Sequence, residues 1–258
     1  MSSILKDKRA VITGGGDGIG RTAVTLFAEN GARVVSLEIN AEKAKAAEAE
    51  ERAKGHDVTF LICDISDLEQ VEAAFAKVEE MWGGLDILYN NASVFLGQGR
   101  DNRVTKLDPA IWDRVLKINL YGLYHCSRCA IPLMQKAGGG SIVNTASSAG
   151  VIGIPDCDAY TATKGATVSM TRSMAVEYGP DGIRVNCIAP AAIATPMVYQ
   201  SNLSDPNFDE HFFLTKGTPL RRWGQPVEVA KAAMFFASDL SSYINGAVMT
   251  ADGGITVS

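Results

Sequence analysis

The chain has 258 residues, of which 47% are hydrophobic and 21% are charged, and its formal net charge is −5. This composition is typical of a folded protein with a full hydrophobic core, and the negative charge argues against a nucleic-acid partner or an anionic membrane surface. No stretch approaches the roughly 18 consecutive apolar residues of a membrane span, and the first residues have no apolar signal-peptide core, so we expect a cytoplasmic protein.

Short β-branched runs alternate with longer helical segments along the chain. Strands are predicted at 9–13, 33–37, 58–63, 85–90, 141–145, 183–188 and 247–251. Helices are predicted at 18–30, 41–54, 68–82, 109–137, 160–178 and 226–238. The strands read as nearly continuous apolar runs, which is typical of a parallel sheet covered on both faces. Strict alternation predicts a single α/β domain with a doubly wound parallel sheet of about seven strands.

One segment departs from this alternation. Residues 191–225 carry prolines, glycines and polar residues around an apolar cluster, HFFLTKG, at 211–217. Long irregular insertions in compact α/β domains often cover a binding site. We therefore predict a substrate lid here, with a surface excursion or a subunit contact as the alternatives.

The five cysteines form no disulfide framework, because they are odd in number and scattered. Cys126 and Cys129 form a C-x-x-C pair beside His125, but both lie deep in a predicted helix. With three histidines in the chain, a zinc site has few candidate ligands. We predict that the pair packs at a helix face and that the protein binds no metal.

A glycine-rich stretch, TGGGDGIG at 13–20, joins the first predicted strand to the first helix. A helix N-terminus offers free N–H groups and a partial positive charge, and glycine lets a phosphate approach the backbone. The spacing G-x-x-x-G-x-G, with Gly14, Gly18 and Gly20, predicts a site for a dinucleotide pyrophosphate. Glu38, at the end of the second strand, is then placed to bind the hydroxyls of the adenosine ribose.

Tyr160 and Lys164 are four residues apart at the start of a predicted helix and share one face. A nearby ammonium favours the phenolate and lowers the pKa of a tyrosine, which makes it an acid or base near neutral pH. Ser147 follows the fifth strand, whose carboxyl end faces the same crevice as the glycine loop. These three side chains are therefore candidate catalytic residues.

These motifs, in this order, resemble those of the short-chain dehydrogenase/reductase family over essentially the whole chain. The resembling segments are TGGGDGIG at 13–20, CDISD at 63–67, NNAS at 90–93, KINLYG at 117–122, IVNTASSAG at 142–150, YTATK at 160–164, RVNCIAPAAIATPM at 184–197 and ADGG at 251–254. Ser93 and Ala191 depart from the family pattern, because both stand where the family usually has glycine. The resemblance implies a Rossmann-type fold and a nicotinamide dinucleotide cofactor.

The resemblance also implies the catalytic roles. Ser147 would hydrogen-bond the substrate oxygen, and Tyr160 would exchange a proton with it. Lys164 would lower the pKa of Tyr160 and bind the nicotinamide ribose, and Asn119 would hold a water that extends the proton path. The hydride itself would belong to the cofactor.

The same resemblance implies the cofactor-binding residues. They are Gly14, Asp17, Gly18, Ile19, Gly20, Glu38, Asp64, Ile65, Asn90, Asn91, Ala92, Pro190, Ile193 and Thr195, together with Tyr160 and Lys164. Asp64 would contact the adenine with Ile65 packed beside it. Ile193 and Thr195 would hold the nicotinamide carboxamide.

The acidic residues at the adenosine end favour NAD over NADP. The extra phosphate of NADP needs Arg or Lys nearby, and the positions where the family commonly carries one hold Asp17 and Ile39. Glu38 adds a second carboxylate, and two like charges without a basic partner disfavour a phosphate. Arg33 and Lys43 are the nearest bases in the sequence, but neither holds a usual recognition position.

The substrate pocket is predicted beside the catalytic residues, from segments 93–98 and 153–158 and from the lid. Its apolar lining residues would be Val94, Phe95, Ile154, Phe212 and Phe213. Such a lining suggests a secondary alcohol or a ketone. Four arginines, Arg100, Arg103, Arg221 and Arg222, keep an anionic or acyl-carrier substrate open.

Two aspartates precede the catalytic helix. Asp156 and Asp158 either bind substrate hydroxyls or cap the helix that is predicted to start at Tyr160. We favour the cap, because Asp is a preferred N-cap residue.

The sequence thus predicts an NAD-dependent oxidoreductase for secondary alcohols or ketones. The alternatives are a 3-oxoacyl thioester reductase that uses NADPH, and a non-catalytic nucleotide-binding protein on the same fold. The family resemblance further implies a homotetramer, with the helices at 109–137 and 160–178 between subunits.

Overall fold

The computed structural model describes residues 3–97, 100–201 and 208–258. The strands are β1 (Arg9–Thr13), β2 (Arg33–Glu38), β3 (Val58–Ile62), β4 (Ile87–Asn90), β5 (Gly140–Thr145), β6 (Ile183–Pro190) and β7 (Val248–Ala251). They form one seven-stranded sheet in the order β3-β2-β1-β4-β5-β6-β7, and every pairing is parallel. The prediction of a doubly wound parallel sheet in one domain is confirmed.

Helices cover both faces of this sheet. They are α1 (Gly18–Glu29), α2 (Ala41–Ala53), α3 (Leu68–Trp82), α4 (Pro109–Leu116), α5 (Gly122–Ala137), α6 (Asp158–Tyr178), α7 (Pro196–Ser201), α8 (Glu210–Phe212) and α9 (Pro226–Ala237). Apolar residues of α1, α2 and α9 form a core on one face. Residues of α3, α5 and α6 form the core on the other face. The strands are therefore buried on both sides, which explains their continuous apolar runs.

The order of the strands creates a crevice at the carboxyl ends of the central strands. β1 lies between β2 and β4, so the chain reverses its direction of travel across the sheet after β3. In doubly wound sheets, ligands bind beyond the carboxyl ends of the strands at such a reversal. The loops after β1, β4, β5 and β6 all emerge there, and they carry most of the predicted site residues.

Two predicted elements differ from the structure. The predicted helix at 109–137 is interrupted by a π-helical turn at Lys117–Tyr121, between α4 and α5. The fourth strand begins at Ile87 rather than at residue 85, because the Leu85 N–H donates to the Leu133 carbonyl of α5 at 3.2 Å.

The predicted lid is anchored at its base. Ile193 and Gly224 form an isolated parallel bridge, in which the Ala194 N–H donates to the Gly224 carbonyl at 2.9 Å. The segment contains α7, α8 and a π-helical turn at Phe213–Gly217, so much of it is helical rather than irregular. Residues 202–207 of this segment, and position 98 of the predicted pocket, lie outside the described residues.

The cysteines are free thiols at buried or half-buried positions. Burial raises the pKa of the Cys63 thiol to about 11 and raises the pKa of the Cys126 thiol well above its ordinary value. Within the described ranges, no group of three or more His, Cys, Asp or Glu side chains could hold a metal ion. None of the helices in those ranges is long and apolar enough to cross a bilayer.

Candidate active site

The glycine loop closes against the segment that follows β4. Thr13 Oγ1 accepts hydrogen bonds from the Asn91 N–H at 3.0 Å and the Ala92 N–H at 2.9 Å. Asn91 Nδ2 donates back to the Thr13 carbonyl at 3.1 Å. Asn91 and Ala92 therefore fix the start of the glycine loop through hydrogen bonds to Thr13.

Two glycines of this loop leave no room for a side chain. Gly14 has φ +71°, in the left-handed region that favours glycine, and a Cβ there would lie 3.0 Å from Ala92. A Cβ on Gly20, in the first turn of α1, would collide with the Gly14 carbonyl and lie 2.6 Å from Asn91 Nδ2. The loop is thus folded back on the start of α1, and its backbone lines the crevice at a helix N-terminus.

Asp17 caps α1 and carries an ion pair. Its Oδ1 accepts the Gly18 N–H at 2.7 Å, and its Oδ2 lies 2.6 Å from Lys43 Nζ. Both charged groups are partly exposed, Asp17 at 41% and Lys43 at 47%. The interpretation that Asp17 has no basic partner is therefore wrong, because the first turn of α2 brings Lys43 to it.

Glu38 is buried and ties the glycine loop to the turn after β2. Its Oε2 accepts the Gly16 N–H at 2.8 Å, and its Oε1 accepts the Asn40 N–H at 2.9 Å. A buried carboxylate needs such donors. Glu38 thus fixes the geometry of the crevice at the end where the sequence places the adenosine ribose.

The remaining predicted cofactor residues occupy the same edge. Ile65 is buried and packs so closely on Gly122 that a Cβ there would lie 2.5 Å from it. Asp64 Oδ1 accepts from the Ser66 N–H at 2.9 Å and from the Ser66 hydroxyl at 2.7 Å. Asn90 is buried below, and its Nδ2 donates to Asn144 Oδ1 at 2.9 Å. Asn90 thus acts within the protein core.

The loop after β6 reaches back to the glycine loop. Pro190 ends β6 and pairs with Ala251 of β7. The Thr195 methyl lies 3.5 Å from the position that a Cβ on Gly18 would occupy. Ile193 and Thr195 are both buried. Thr195, which is predicted to bind the nicotinamide, therefore lies beside Gly18 of the glycine loop. The partly buried Ile19, next to Gly18, packs against the core.

Lys164 lies under the Tyr160 ring on α6. Its Nζ is 5.4 Å from the ring centroid and donates to the Thr145 carbonyl at 2.9 Å. The side chain is buried, and burial lowers the pKa of Lys164 to about 8. The ammonium is thus held in place at the carboxyl end of β5.

The Tyr160 hydroxyl has lost much of its water although the residue is only half-buried. Desolvation raises the pKa of Tyr160 to about 12, and a hydrogen bond with Ser147 opposes that shift. This direction is opposite to the expectation that Lys164 lowers the pKa of Tyr160, because burial outweighs other influences in the protein alone. The Ser147 and Tyr160 side chains therefore lie close enough to interact.

Ser147 begins a short 3-10 turn directly after β5. Its Oγ accepts the Ala149 N–H at 3.2 Å, and its backbone is extended. The neighbouring Ser148 is buried within the turn. The turn therefore presents Ser147 to the crevice.

Asn119 lies in the π-helical turn between α4 and α5. Its Oδ1 accepts the Val94 N–H at 2.8 Å, and its Nδ2 donates to the Val94 carbonyl at 2.9 Å and to Thr163 Oγ1 at 3.3 Å. The amide is thus already paired with the loop after β4 and with α6. Its side chain thus braces the site by joining these two segments.

The predicted substrate residues fall into two groups. Val94 and Phe95 lie in the crevice, and the Phe95 ring is 4.8 Å from the Tyr160 ring at 57°. Phe213 instead stacks among aromatic residues of the lid, 5.3 Å from Trp223. Phe212 is 61% exposed. Ile154 is half-buried, and its carbonyl accepts from the Cys157 thiol at 3.5 Å.

The cap of the catalytic helix is not the one predicted. α6 begins at Asp158, its N-cap residue is Cys157, and that side chain makes no capping bond. Asp158 Oδ2 accepts the Val104 N–H at 2.8 Å, and Asp156 lies 3.6 Å from Arg103 with φ +57°. The capping interpretation of Asp156 and Asp158 is therefore wrong.

A residue that the sequence did not single out replaces them. Asp101 has no exposed surface, and its carboxylate accepts the Ala159 N–H at 3.1 Å and the Tyr160 N–H at 2.8 Å. No local signal reveals this contact, because the bonded residues are 58 and 59 positions apart.

This fold and site define a class of protein, the doubly wound oxidoreductases with a glycine loop and a Tyr–Lys pair. A family model described as enoyl-(acyl carrier protein) reductase matches residues 14–256. The chain belongs to the short-chain dehydrogenase/reductase family, whose members bind nicotinamide cofactors.

Curated relatives cover nearly the whole chain. The 3-oxoacyl-[acyl-carrier-protein] reductase FabG of Chlamydia muridarum is 39% identical over 99% of this chain and 100% of its own length. Levodione reductase of Leifsonia aquatica is 37% identical over 96% and 94%. A 2,5-dichloro-2,5-cyclohexadiene-1,4-diol dehydrogenase of Sphingobium indicum is 37% identical over 98% and 99%.

Solved structures show the same fold. A gluconate 5-dehydrogenase from Burkholderia cenocepacia in complex with NADP and tartrate has a TM-score of 0.91 and 33% identity, over 100% of this chain and 98% of that one. A 3-ketoacyl-(acyl-carrier-protein) reductase from Brucella melitensis complexed with NADH has a TM-score of 0.88 and 32% identity, over 98% and 100%.

Proposed function

We propose that this protein is an NAD-dependent oxidoreductase that moves hydride between the nicotinamide ring and a secondary alcohol or ketone. The observation that carries the proposal is the meeting of Tyr160, Lys164 and Ser147 at the same edge of the sheet as the glycine loop. The loop suits a pyrophosphate, because its backbone is folded back on the start of α1 and lines the crevice at a helix N-terminus. The bound cofactor supplies the hydride chemistry.

Tyr160 is the proton-transfer residue of the proposal. With its pKa raised to about 12, the phenol is protonated at neutral pH and ready to donate to a ketone oxygen as that ketone is reduced. In alcohol oxidation, the phenolate accepts the hydroxyl proton. Ser147 hydrogen-bonds the same substrate oxygen, and the Lys164 ammonium stabilises negative charge on the tyrosine.

The proton path continues through the π-helical turn around Asn119. Its side-chain amide is paired with Val94 and Thr163, so we assign the water-holding role to the backbone. A π-helical turn disturbs the regular i to i−4 bonding of a helix and commonly occurs at functional sites.

Two carboxylates support NAD as the cofactor. Asp17 and Glu38 lie at the adenosine end of the crevice, where they would repel the extra phosphate of NADP. Lys43 weakens this repulsion by pairing with Asp17. Arg33 is paired with Asp57 at 2.9 Å and takes no part.

The substrate class follows from the loop after β4. Val94 and the Phe95 ring against Tyr160 offer an apolar surface to a neutral carbonyl compound. Segment 191–225, pinned by the Ile193–Gly224 bridge, is proposed to be the lid. The diol dehydrogenase relative acts, by its name, on a cyclic secondary alcohol.

A second candidate is reduction of a 3-oxoacyl thioester. The 39% identity to a 3-oxoacyl-[acyl-carrier-protein] reductase favours it. Arg103, which is 65% exposed beside the start of α6, could meet an anionic carrier. Asp17 and Glu38 argue against NADPH, which the sequence analysis gave as the cofactor of this activity.

One experiment separates these candidates. Turnover is followed by the absorbance of the reduced nicotinamide, with cyclohexanol and gluconate as alcohols and cyclohexanone and acetoacetyl coenzyme A as carbonyl compounds, each with both cofactors. We expect a higher kcat/KM with NAD(H) than with NADP(H), and cyclohexanol or cyclohexanone among the substrates. Preference for NADPH with acetoacetyl coenzyme A would establish the second candidate, and no turnover of any compound would favour a binding protein.

We also propose that the chain forms a homotetramer through α4, α5 and α6. Tyr121 is 49% exposed, Tyr124 is 45% exposed and Val176 is 80% exposed. Apolar residues left uncovered on helices are typical of subunit contacts.

A further inference from the structure

A buried carboxylate ties the loop after β4 to the first turn of the catalytic helix. Asp101 accepts the Tyr160 N–H at Oδ2 and the Ala159 N–H at Oδ1, and Oδ1 also accepts the Asn102 N–H at 2.9 Å. The first N–H groups of a helix have no partner within the helix. A carboxylate without exposed surface meets this need and is itself satisfied by three donors.

The bonds between the two segments run in both directions. The Asp158 N–H donates to the Asn102 carbonyl at 3.3 Å, and Asp158 Oδ2 accepts the Val104 N–H at 2.8 Å. The loop is itself closed by a bond from the Asp101 N–H to the Gly97 carbonyl at 3.2 Å. We call this set of bonds the Asp101 clasp.

The clasp acts on the backbone of the residue that carries the proton. Tyr160 N is bonded directly to Asp101, and the Tyr160 ring lies against Phe95, on the same loop. The same loop also pairs Val94 with Asn119. One segment therefore sets the position of the Tyr160 backbone, of its ring and of the asparagine beside it.

We propose that Asp101 is a positioning residue for Tyr160, which it holds where its hydroxyl meets Ser147 and the substrate oxygen. The inference rests on the proposed function, because it requires Tyr160 to be the acid and base. Catalysis depends steeply on such placement, since a displacement of about 1 Å can cost about a hundredfold in rate. That placement is determined by neighbouring side chains that hold the reacting group by packing and hydrogen bonds without touching the substrate.

The test compares two substitutions of Asp101. Asp101→Asn keeps one acceptor oxygen and turns an NH2 group toward a second N–H donor, so it loses about half of the clasp. Asp101→Leu keeps the approximate volume and removes every acceptor. We expect kcat to fall about tenfold in the first and about a hundredfold in the second. The assay uses the fastest compound of the substrate panel, with NADH or NAD.

Two further readouts distinguish positioning from a general loss of structure. The Kd for NADH, from fluorescence titration, should stay within about twofold of the wild-type value. The matched control is Asp108→Ala, which removes the side-chain cap of α4, where Asp108 accepts the Ala110 N–H at 2.8 Å. That variant should lose stability in urea without a change in kcat.

The outcomes separate the inference from the proposed function. An Asp101→Asn enzyme with wild-type kcat and a stability loss like that of Asp108→Ala would show an ordinary helix cap and overturn the inference. If Asp101→Leu does not fold, the Asn variant decides alone. Tyr160→Phe is assayed in parallel, and turnover by that variant would overturn the proposed function instead.

Discussion

Lys43 is a base close to Asp17 that affects the choice between NAD and NADP. Its ammonium is 2.6 Å from Asp17 Oδ2 and partly exposed, so it is free to turn toward a phosphate at the adenosine ribose. Selection against NADP therefore depends on how far the repulsion of the extra phosphate by Asp17 and Glu38 exceeds its attraction to Lys43. Asp17 is then both the cap of α1 and the partner that restrains Lys43.

Removal of this base should sharpen the preference for NAD. In Lys43→Ala, we expect kcat/KM with NADP to fall about fivefold, the size of a partly exposed ion pair, with little change for NAD. Lys45→Ala is the matched control, because Lys45 lies on the same helix and has no contact with Asp17. An unchanged ratio between the two cofactors would show that Lys43 does not meet the phosphate.

For single residues, the sequence predicted the arrangement of side chains within one motif, but it did not predict contacts between residues that are far apart in the chain. The spacing of Tyr160 and Lys164 placed both on one face of a helix, as the structure shows. The Lys43–Asp17 pair spans 26 positions and the Asp101–Tyr160 bond spans 59. Such pairs depend on how helices and loops pack in the folded protein, and this packing cannot be read from the spacing of residues along the chain.

At the scale of elements, the glycine loop and α1 form the most constrained unit of the crevice. A methyl group on Gly20 would collide with the Gly14 carbonyl, so Gly20→Ala must push the loop away from α1. Overpacking of this kind costs about 3 kcal/mol. We expect that loss in urea unfolding, together with at least about tenfold weaker binding of NADH, because the phosphate cradle opens.

A second glycine provides the control for that variant. A Cβ on Gly165, within α6, would meet no atom within 4 Å. Gly165→Ala should therefore raise stability by about 1 kcal/mol, through helix propensity alone. If Gly20→Ala bound NADH as the wild type does, the assignment of this loop as the phosphate site would be wrong.

Strands and most helices were predictable because their patterns are local. The apolar runs defined β1 to β7 to within a few residues, since a strand buried on both faces must be apolar throughout. The π-helical turn at Lys117–Tyr121 was not predictable, because the apolar pattern continues through it from α4 to α5. Within this turn, Asn119 pairs with Val94, a contact between two distant segments that local pattern does not reveal.

At the scale of the whole molecule, the sheet brings the reacting groups together from separate parts of the chain. β1 supplies the glycine loop, β5 leads to Ser147, and α6 carries Tyr160 and Lys164. The reversal of strand order beside β1 places these groups at one edge. The family model covers nearly the whole chain, whereas the fold alone does not determine the substrate.

The most direct test of the central claim is the turnover of Tyr160→Phe, which removes one hydroxyl from the site. With the fastest substrate of the panel, we expect kcat to fall at least about a thousandfold, while the Kd for NADH changes little. In the wild type, alcohol oxidation should speed up as the pH rises from about 6 to about 8, because the phenolate is the base and the Lys164 ammonium that stabilises it is still charged below its pKa of about 8. Turnover by Tyr160→Phe near the wild-type rate would contradict the account.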